Sequence, residues 1–366
     1  LDICLVEEQF EMVQYVEKGR KPRWGYFPKE GHPQAVTRFD GTRITPGFLQ
    51  AIAYEVYVKN VTFGLLHQWL GDMGMTVSEN TLRNRLKKGR KYLDRMVVEL
   101  KRIALEKDAV VNCDETWCKV RKYDRYKKCY MWVLVNKAER VVIFFYEDGS
   151  RGRDVLTNFL GDAELKALMS DGYNAYVFIG DGLKTHRYKD TDHQVCLAHV
   201  RAKFVKARME GGDKRADVFL DNINRLFRFE REYDREMITD GERTRRRQGL
   251  PTMEAMINLR ANLLQELKSE EEQKSCYMRE ALNYLHKFWN EAFTYIKDGR
   301  YPISNNLAER AVRPFTTKRK NSLHFGSDEG AEIVAVYHSI ISTVKLQGRS
   351  AWDYLGKFFT GIFNGC

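Results

Sequence analysis

Three acidic residues stand in settings that suit metal-assisted phosphoryl chemistry. Asp114 lies in the apolar run AVVNCDETWCKV, where an ionised carboxylate is costly to bury unless it is paired or ligates a cation. Asp171 follows the run LKALMS and precedes Gly172, which allows close approach of the backbone. Glu309 comes just after Ser304, Asn305 and Asn306, near the start of a helical pattern. Cutting a phosphodiester with two divalent ions needs hard oxygen ligands that hold the ions about 4 Å apart. Mg²⁺ takes carboxylates and retained water in that role, so Asp and Glu are expected there rather than Cys or His. Each residue also has an ordinary reading. Asp114 could end an edge strand, Asp171-Gly172 is a common turn signal, and Glu309 could close a capping box with Asn306. Glu115, Asp148, Asp181 and Asp192 stand nearby, and spacing alone does not choose among them.

The elements needed to position these residues can be read around them. AVVNCDETWCKV, YMWVLVNK and VVIFFYED are rich in β-branched and aromatic residues, and the simplest reading is three consecutive antiparallel strands. A helix is expected at about 151–160, then a buried strand over LKALMS. YVFIGD and QVCLAHV are further short apolar runs, the second leading into the basic helix RAKFVKARM. Strands, helix, strand and then more helix describe an α/β, ribonuclease-H-like mixed sheet. Its chemistry draws one carboxylate from the first strand, one from just past the fourth and one from a later helix. We assign this unit to residues 108–330, with a charged helical insertion at about 205–298 that carries the basic knot RTRRR. A C-terminal helical segment, 331–366, places Ile333, Val336, Ile340 and Val344 on one face.

Ahead of the sheet, residues 1–45 read as an irregular connector and 46–107 as helical. Phe63, Leu66 and Leu70 form one stripe, Leu82, Leu86 and Leu93 another, and Ser78 stands where it would cap the second helix. A short turn followed by a helix bearing Arg83, Arg85, Lys87, Lys88 and Arg90 resembles a DNA-contacting helix-turn-helix; the alternative is a helical hairpin with a solvated basic face.

Lys plus Arg exceed Asp plus Glu by 61 − 50 = 11, a surplus that favours polyanionic partners, nucleic acid before acidic membranes. No apolar run approaches the roughly 18 residues of a membrane span, and the start does not read as a signal peptide. Seven scattered cysteines suit a reducing cytoplasm. The chain begins with Leu1 rather than Met, from which a missing N-terminal region is expected.

Longer motifs narrow the choice. NNLAERAVRP at Asn305–Pro314, then Arg319–Asn321 and Gly326–Ala331, resemble the C-terminal signature of the transposases of insertion-sequence family sixty-six. CDETWCKV, SDGYNAY and HQVCLAHVRAKFVKA resemble that family's upstream segments, and the likeness runs in order from about residue 40 to the end. The resemblance implies a bacterial DDE transposase with the triad Asp114, Asp171 and Glu309, at separations of 171 − 114 = 57 and 309 − 171 = 138. It implies two Mg²⁺ ions, with Mn²⁺ as a substitute, cleavage at element ends, and transfer of the 3′-hydroxyl strand into target DNA. It further implies DNA partners, a homo-oligomer that pairs two ends, small accessory proteins of the same element, and a cytoplasmic, nucleoid-associated location without membrane contact. Family members usually carry an N-terminal zinc and DNA-binding region; only Cys4 precedes Cys113, so that region is expected to be lacking or degraded.

Cys196 and His199 have the spacing of half a zinc site, but no second pair is evident, and structural support of the site is the favoured reading, shared with Asn305 and Asn306. Arg310, Arg313, Lys318, Arg319 and Lys320 bracket Glu309 and would face phosphates if the triad holds. Lys119, Arg121, Lys122, Arg125, Lys127 and Lys128, interleaved with Tyr123, Tyr126 and Tyr130, form a second candidate DNA surface. Two rival readings share these features: a truncated or domesticated transposase that binds DNA without cutting it, and a ribonuclease-H-like nuclease acting on branched DNA.

Overall fold

The computed structural model describes residues 10–15, 23–28, 45–123, 125–269 and 274–363. The irregular reading of 1–45 is corrected by a hairpin. Strands β1 (Phe10–Tyr15) and β2 (Arg23–Pro28) pair antiparallel, with Phe10 opposite Pro28 and Tyr15 opposite Arg23. FEMVQY and RWGYFP carry the aromatic and β-branched residues that favour extended pairing, a signal masked by the surrounding Gly, Pro and charge. The remainder of that connector lies outside the described residues.

Three helices follow, each with a side-chain cap. Thr45 accepts the Phe48 N–H at the head of α1 (Pro46–Tyr57), and Thr62 accepts that of Leu65 at the head of α2 (Phe63–Asp72). Ser78 caps α3 (Glu79–Ala104) through the Thr81 N–H, as its position predicts. Leu82, Leu86, Gly89 and Leu93 form the buried stripe of α3. A Cβ on Gly89 would stand 2.6 Å from the Tyr337 hydroxyl, so glycine lets the later helix bearing Tyr337 come close enough to donate to the Leu86 carbonyl.

The sheet consists of β3 (Val110–Lys122), β4 (Arg125–Asn136), β5 (Val141–Phe145), β6 (Ala167–Ser170) and β7 (Asp192–Val195), in the spatial order β5-β4-β3-β6-β7. β3, β4 and β5 are antiparallel neighbours, whereas β6 and β7 run parallel to β3. Helix α4 (Arg153–Leu160) covers the crossover from β5 to β6. The run YVFIGD forms successive turns instead of a further strand, and Tyr176, Phe178 and Ile179 are buried there.

Beyond β7 come α5 (Leu197–Met209), α6 (Ala216–Glu236), α7 (Asp240–Arg247), α8 (Leu250–Lys268), α9 (Cys276–Lys287) and α10 (Trp289–Phe293). The chain then forms α11 (Asn306–Ser322), α12 (Asp328–Leu346) and α13 (Ala351–Phe363). The basic knot at 243–247 is split, with Arg245 exposed and Arg243 and Arg247 turned inward. Arg247 is 2% exposed, bonded to Glu230 and to the carbonyls of Tyr295 and Asp298, and Arg243 shares Glu230.

Apolar packing divides around the sheet. One face buries Val120, Met131, Val133 and Phe144 against α1, α3, α11, α12 and α13. The helices of 46–107 and 331–363 therefore share a single core with the antiparallel half of the sheet. The opposite face packs Val111, Cys113, Trp132 and Leu134 against α4 and the turns at 175–179. Helices α5, α6, α8, α9 and α10 build a third cluster that reaches the sheet at Ala167. No helix among the described residues is long and apolar enough to cross a membrane.

Candidate active site

Strand alternation separates the acids on β3. Residues two apart share a face, so Asn112, Asp114 and Thr116 look toward α11, while Cys113 and Glu115 look toward α4. The contacts agree. The Asn112 amide donates to the Asn305 side chain at 3.0 Å, and Arg319 donates to the Thr116 hydroxyl at 2.9 Å. On the other face the Glu115 carboxylate accepts two bonds from Arg151 and one from the Tyr176 hydroxyl. Its side chain is 1% exposed, and its pKa is raised, mostly by burial.

The parallel pairing of β3 with β6 aligns Asn112 with Met169. Two residues further along each chain lie Asp114, still inside β3, and Asp171, one residue past the end of β6, near enough for the Asp171 charge to act on Asp114. A hydrogen bond from the Tyr173 N–H holds the Asp171 carboxylate, and the Tyr284 hydroxyl of α9 donates to the Asp171 carbonyl. Gly172 adopts φ +79°, and a Cβ there would press on Tyr284 and Phe288 at 3.0–3.2 Å. The positive φ favours glycine, and a Cβ would need both rings to give way.

Helix α11 is fastened to β3 at both ends. Asn305, fully buried just before its first turn, donates to the Cys113 carbonyl, accepts from Asn112, and gives its backbone N–H to the Cys196 sulfur. It does not use its side chain as a helix cap, and the capping box with Asn306 is not formed. At the far end Arg319 donates to the Trp117 carbonyl and lies 4.1 Å from the centre of the Trp117 ring. Along β3, Asp114 lies between the residues that meet these two anchors. Burial, then the charges of Glu115, Asp171 and Glu309, push the Asp114 carboxyl up to about 8. Its carboxylate accepts one N–H, from Glu115.

Asp114, Asp171 and Glu309 do not close into a one-ion cluster. Among the described residues, the trio whose donor atoms all lie within 4.8 Å of one another is Cys196, His199 and Glu309. The His199 Nδ1 stands 3.8 Å from a Glu309 oxygen.

The competing acids have other occupations. Asp148 pairs with Lys122, Asp181 with Lys184, and Asp192 with Lys297 and the Tyr301 hydroxyl. The basic residues divide similarly. Arg310, Arg313 and Lys320 are exposed on α11, as is Asn306 at its start, and Lys119 and Arg121 are exposed on the β3 arm. Lys122 is tied to Asp148 and Asp328. On α3, Arg83 pairs with Glu79, Lys87 with Glu329 and Arg90 with Glu332, while Arg85 and Lys88 are half-buried. Lys318 is the clear correction. It is 4% exposed, donates to the Val56 carbonyl and lies over the Tyr57 ring, so it cannot meet a phosphate. Burial lowers its ammonium pKa to about 8.

Sequence reasoning missed Asn112, Arg151, Tyr176 and Tyr284 as parts of this region. A buried Asn inside VVNCD was the available signal for the first; nothing local marks Tyr284, whose partner is 113 positions away.

Residues 41–333 match the family described as "Transposase IS66 family". Two relatives come from Sinorhizobium fredii (strain NBRC 101917 / NGR234). The uncharacterized protein y4jD is 27% identical over 255 residues, covering 66% of this chain and 47% of that protein. The uncharacterized protein y4qI is 27% identical over 226 residues, covering 62% and 41%. The chain thus spans less than half the length of these curated relatives. The matched segment takes in the whole sheet and α11, and on that basis the chain belongs to the IS66 family of transposases.

Proposed function

We propose that this chain is the catalytic part of a DNA transposase, built on a ribonuclease-H-like sheet into which α5 to α10 are inserted. Asp114, Asp171 and Glu309 are its metal-holding carboxylates. The observation that supports this reading is the joint geometry of β3, β6 and α11: β3 and β6 pair in parallel just ahead of the two aspartates, the helix bearing Glu309 is tied to β3 through Asn305 and Arg319, and the charges of Asp171 and Glu309 both act on Asp114. The strand order, three antiparallel and two parallel, supports the fold assignment.

The donor set suits hard divalent ions. All three side chains offer oxygen, and an Asp114 carboxyl pushed up to about 8 by burial and then by neighbouring negative charge is a site whose crowded charge a divalent cation would relieve. Asp114 on the central strand β3, together with Asp171 and Glu309, would hold the ions. Bound Mg²⁺ or Mn²⁺ would supply activation of the attacking water or 3′-hydroxyl and neutralisation of the leaving oxygen. The protein's own contribution is positioning. Asn305 fixes the height of Glu309 over β3, Tyr284 fixes the Asp171 backbone, and Arg310 and Arg313 offer forked donors to phosphate oxygens. The exposed Trp117, Tyr123 and Tyr126 beside Arg319 and Lys128 give a stacking and charge surface for the strand end. Pairing of two DNA ends calls for a homo-oligomer.

The test is Mg²⁺-dependent joining of a 3′-hydroxyl oligonucleotide carrying the element end. Glu309→Gln is expected to abolish joining and keep DNA binding. Undiminished joining by that variant would remove Glu309 from the mechanism; cleavage of branched DNA without joining would favour the nuclease reading.

A further inference from the structure

The Cys196–His199 pair is not used by the proposed oxygen site, yet it does not stand alone. Cys196 precedes α5 and His199 lies in its first turn, so both project from one end of that helix. The backbone tie from Asn305 to the Cys196 sulfur, 3.1 Å, draws the start of α11 against them, and with it Glu309. Sulfur, imidazole nitrogen and carboxylate oxygen all come within 4.8 Å of one another, and nitrogen and oxygen within 3.8 Å. The His199 Nδ1 is shielded from solvent and makes no hydrogen bond, although it faces this cluster. A buried imidazole nitrogen without a partner calls for an occupant.

We infer that Cys196, His199 and Glu309 form a binding site for Zn²⁺ or a similar borderline divalent cation. Tetrahedral zinc bonds of about 2.0–2.3 Å set neighbouring donors roughly 3.3–3.7 Å apart, so side-chain shifts of about 1 Å complete the set. Three protein ligands leave a fourth position for water. Thiol and imidazole donors discriminate against Mg²⁺, which favours oxygen alone. The Asn305 N–H directed at sulfur is the kind of outer contact that stabilises a metal-bound thiolate, and the Cys196 proton passes to solvent on binding. His199, with 40% of its side chain exposed, marks the entry path.

Glu309 belongs to both sets of ligands. Resting on the catalytic role proposed above, zinc at this site withdraws Glu309 from the Mg²⁺ pair and acts as an inhibitor. Occupancy therefore switches one carboxylate between a soft site and a hard one.

The test titrates the full chain with Co²⁺ as a spectroscopic stand-in, followed by displacement with Zn²⁺. A thiolate-to-cobalt charge-transfer band with tetrahedral visible bands is expected, and Cys196→Ala should abolish the charge-transfer band. His199→Ala, at a half-exposed position where misfolding is not expected, should weaken Zn²⁺ binding by at least about tenfold, as should Glu309→Gln. Absence of the band in the wild type, or its persistence in Cys196→Ala with unchanged affinity in His199→Ala, overturns the site. In the joining assay at saturating Mg²⁺, Zn²⁺ should inhibit, and His199→Ala should raise the inhibitory concentration by a similar factor. Tight Zn²⁺ binding without inhibition would leave the site standing and count against the catalytic role of Glu309.

Discussion

Asn305 is the residue on which the proposed geometry turns, and Asn305→Ala tests it directly. The native side chain is fully buried and makes two hydrogen bonds, to the Cys113 carbonyl at 2.9 Å and from the Asn112 amide at 3.0 Å. Truncation leaves both groups facing a small cavity with no replacement partner. An unsatisfied buried polar group costs about 1–3 kcal/mol, and the Cys113 carbonyl keeps its second lone pair for the sheet. The expected loss of stability is therefore about 2–4 kcal/mol in urea unfolding followed by tryptophan fluorescence. The functional loss should exceed what unfolding explains. With its N-terminal anchor gone, α11 is free to shift over β3, and a displacement of 1 Å at a reacting centre costs on the order of 100-fold in rate. Joining is thus expected to fall about 100-fold under conditions where the variant remains folded, with DNA affinity nearly unchanged. Asn305→Asp retains the acceptor for Asn112 but opposes a carboxylate to the Cys113 carbonyl, and it should fare no better. A stability loss below about 1 kcal/mol together with normal joining would refute the view that this side chain sets the height of Glu309.

Neighbouring acids on β3 should respond in opposite directions. Glu115→Ala strips partners from Arg151 and Tyr176 and should destabilise by about 2–4 kcal/mol, whereas Asp114→Asn removes a crowded carboxyl and should leave the chelator-treated protein at least as stable. Urea midpoints in EDTA decide between them. His338 is buried among Tyr57, Phe144 and Phe315, and burial lowers its pKa from 6.5 to about 3. The unfolded chain binds the proton first, so this stability is complete above about pH 6.5 and declines as pH falls toward 3. At pH 5 the decline is about 2 kcal/mol, and His338→Phe should flatten the acid limb by that amount in pH-dependent thermal melts. Arg319→Ala should weaken DNA binding across sequences and reduce the salt slope by about 1, while Lys318→Met should alter stability and leave that slope untouched.

The contrast between Lys318 and Arg319 shows what the sequence could tell and what it could not. Both stood in one basic run, yet Ala308, Val312 and Phe315 trace the buried stripe of α11, and Lys318 follows Phe315 by three positions on that stripe. Helical periodicity therefore carried the information, and charge counting obscured it. The antiparallel half of the sheet was legible because AVVNCDETWCKV, YMWVLVNK and VVIFFYED are β-branched and aromatic runs separated by short turns. The β1–β2 hairpin was not, since strand residues there are diluted by Gly, Pro and Lys. Alternation along β3 also implied that Asp114 and Glu115 face apart, but not which of them meets α11. That choice depends on Asn112 and Thr116 finding Asn305 and Arg319 some 200 positions later, and no local pattern encodes it.

The same long-range dependence bears on the helices between Asp171 and Glu309. Were α5 to α10 a passive appendage, their contacts with the carboxylate region would be incidental. They are instead specific at two points. Tyr284 of α9 holds the Asp171 carbonyl, and Phe288 packs so close to Gly172 that a side chain there would need the ring to give way. Cys196, at the head of α5, receives the Asn305 N–H that begins α11. One end of this helical unit thus secures the loop after β6, and the other secures the helix bearing Glu309. On the function proposed above, helices fastened at both of these points would help to set the spacing between Asp171 and Glu309. The 138-residue separation between the second and third acids is, on this reading, part of the apparatus that spaces them.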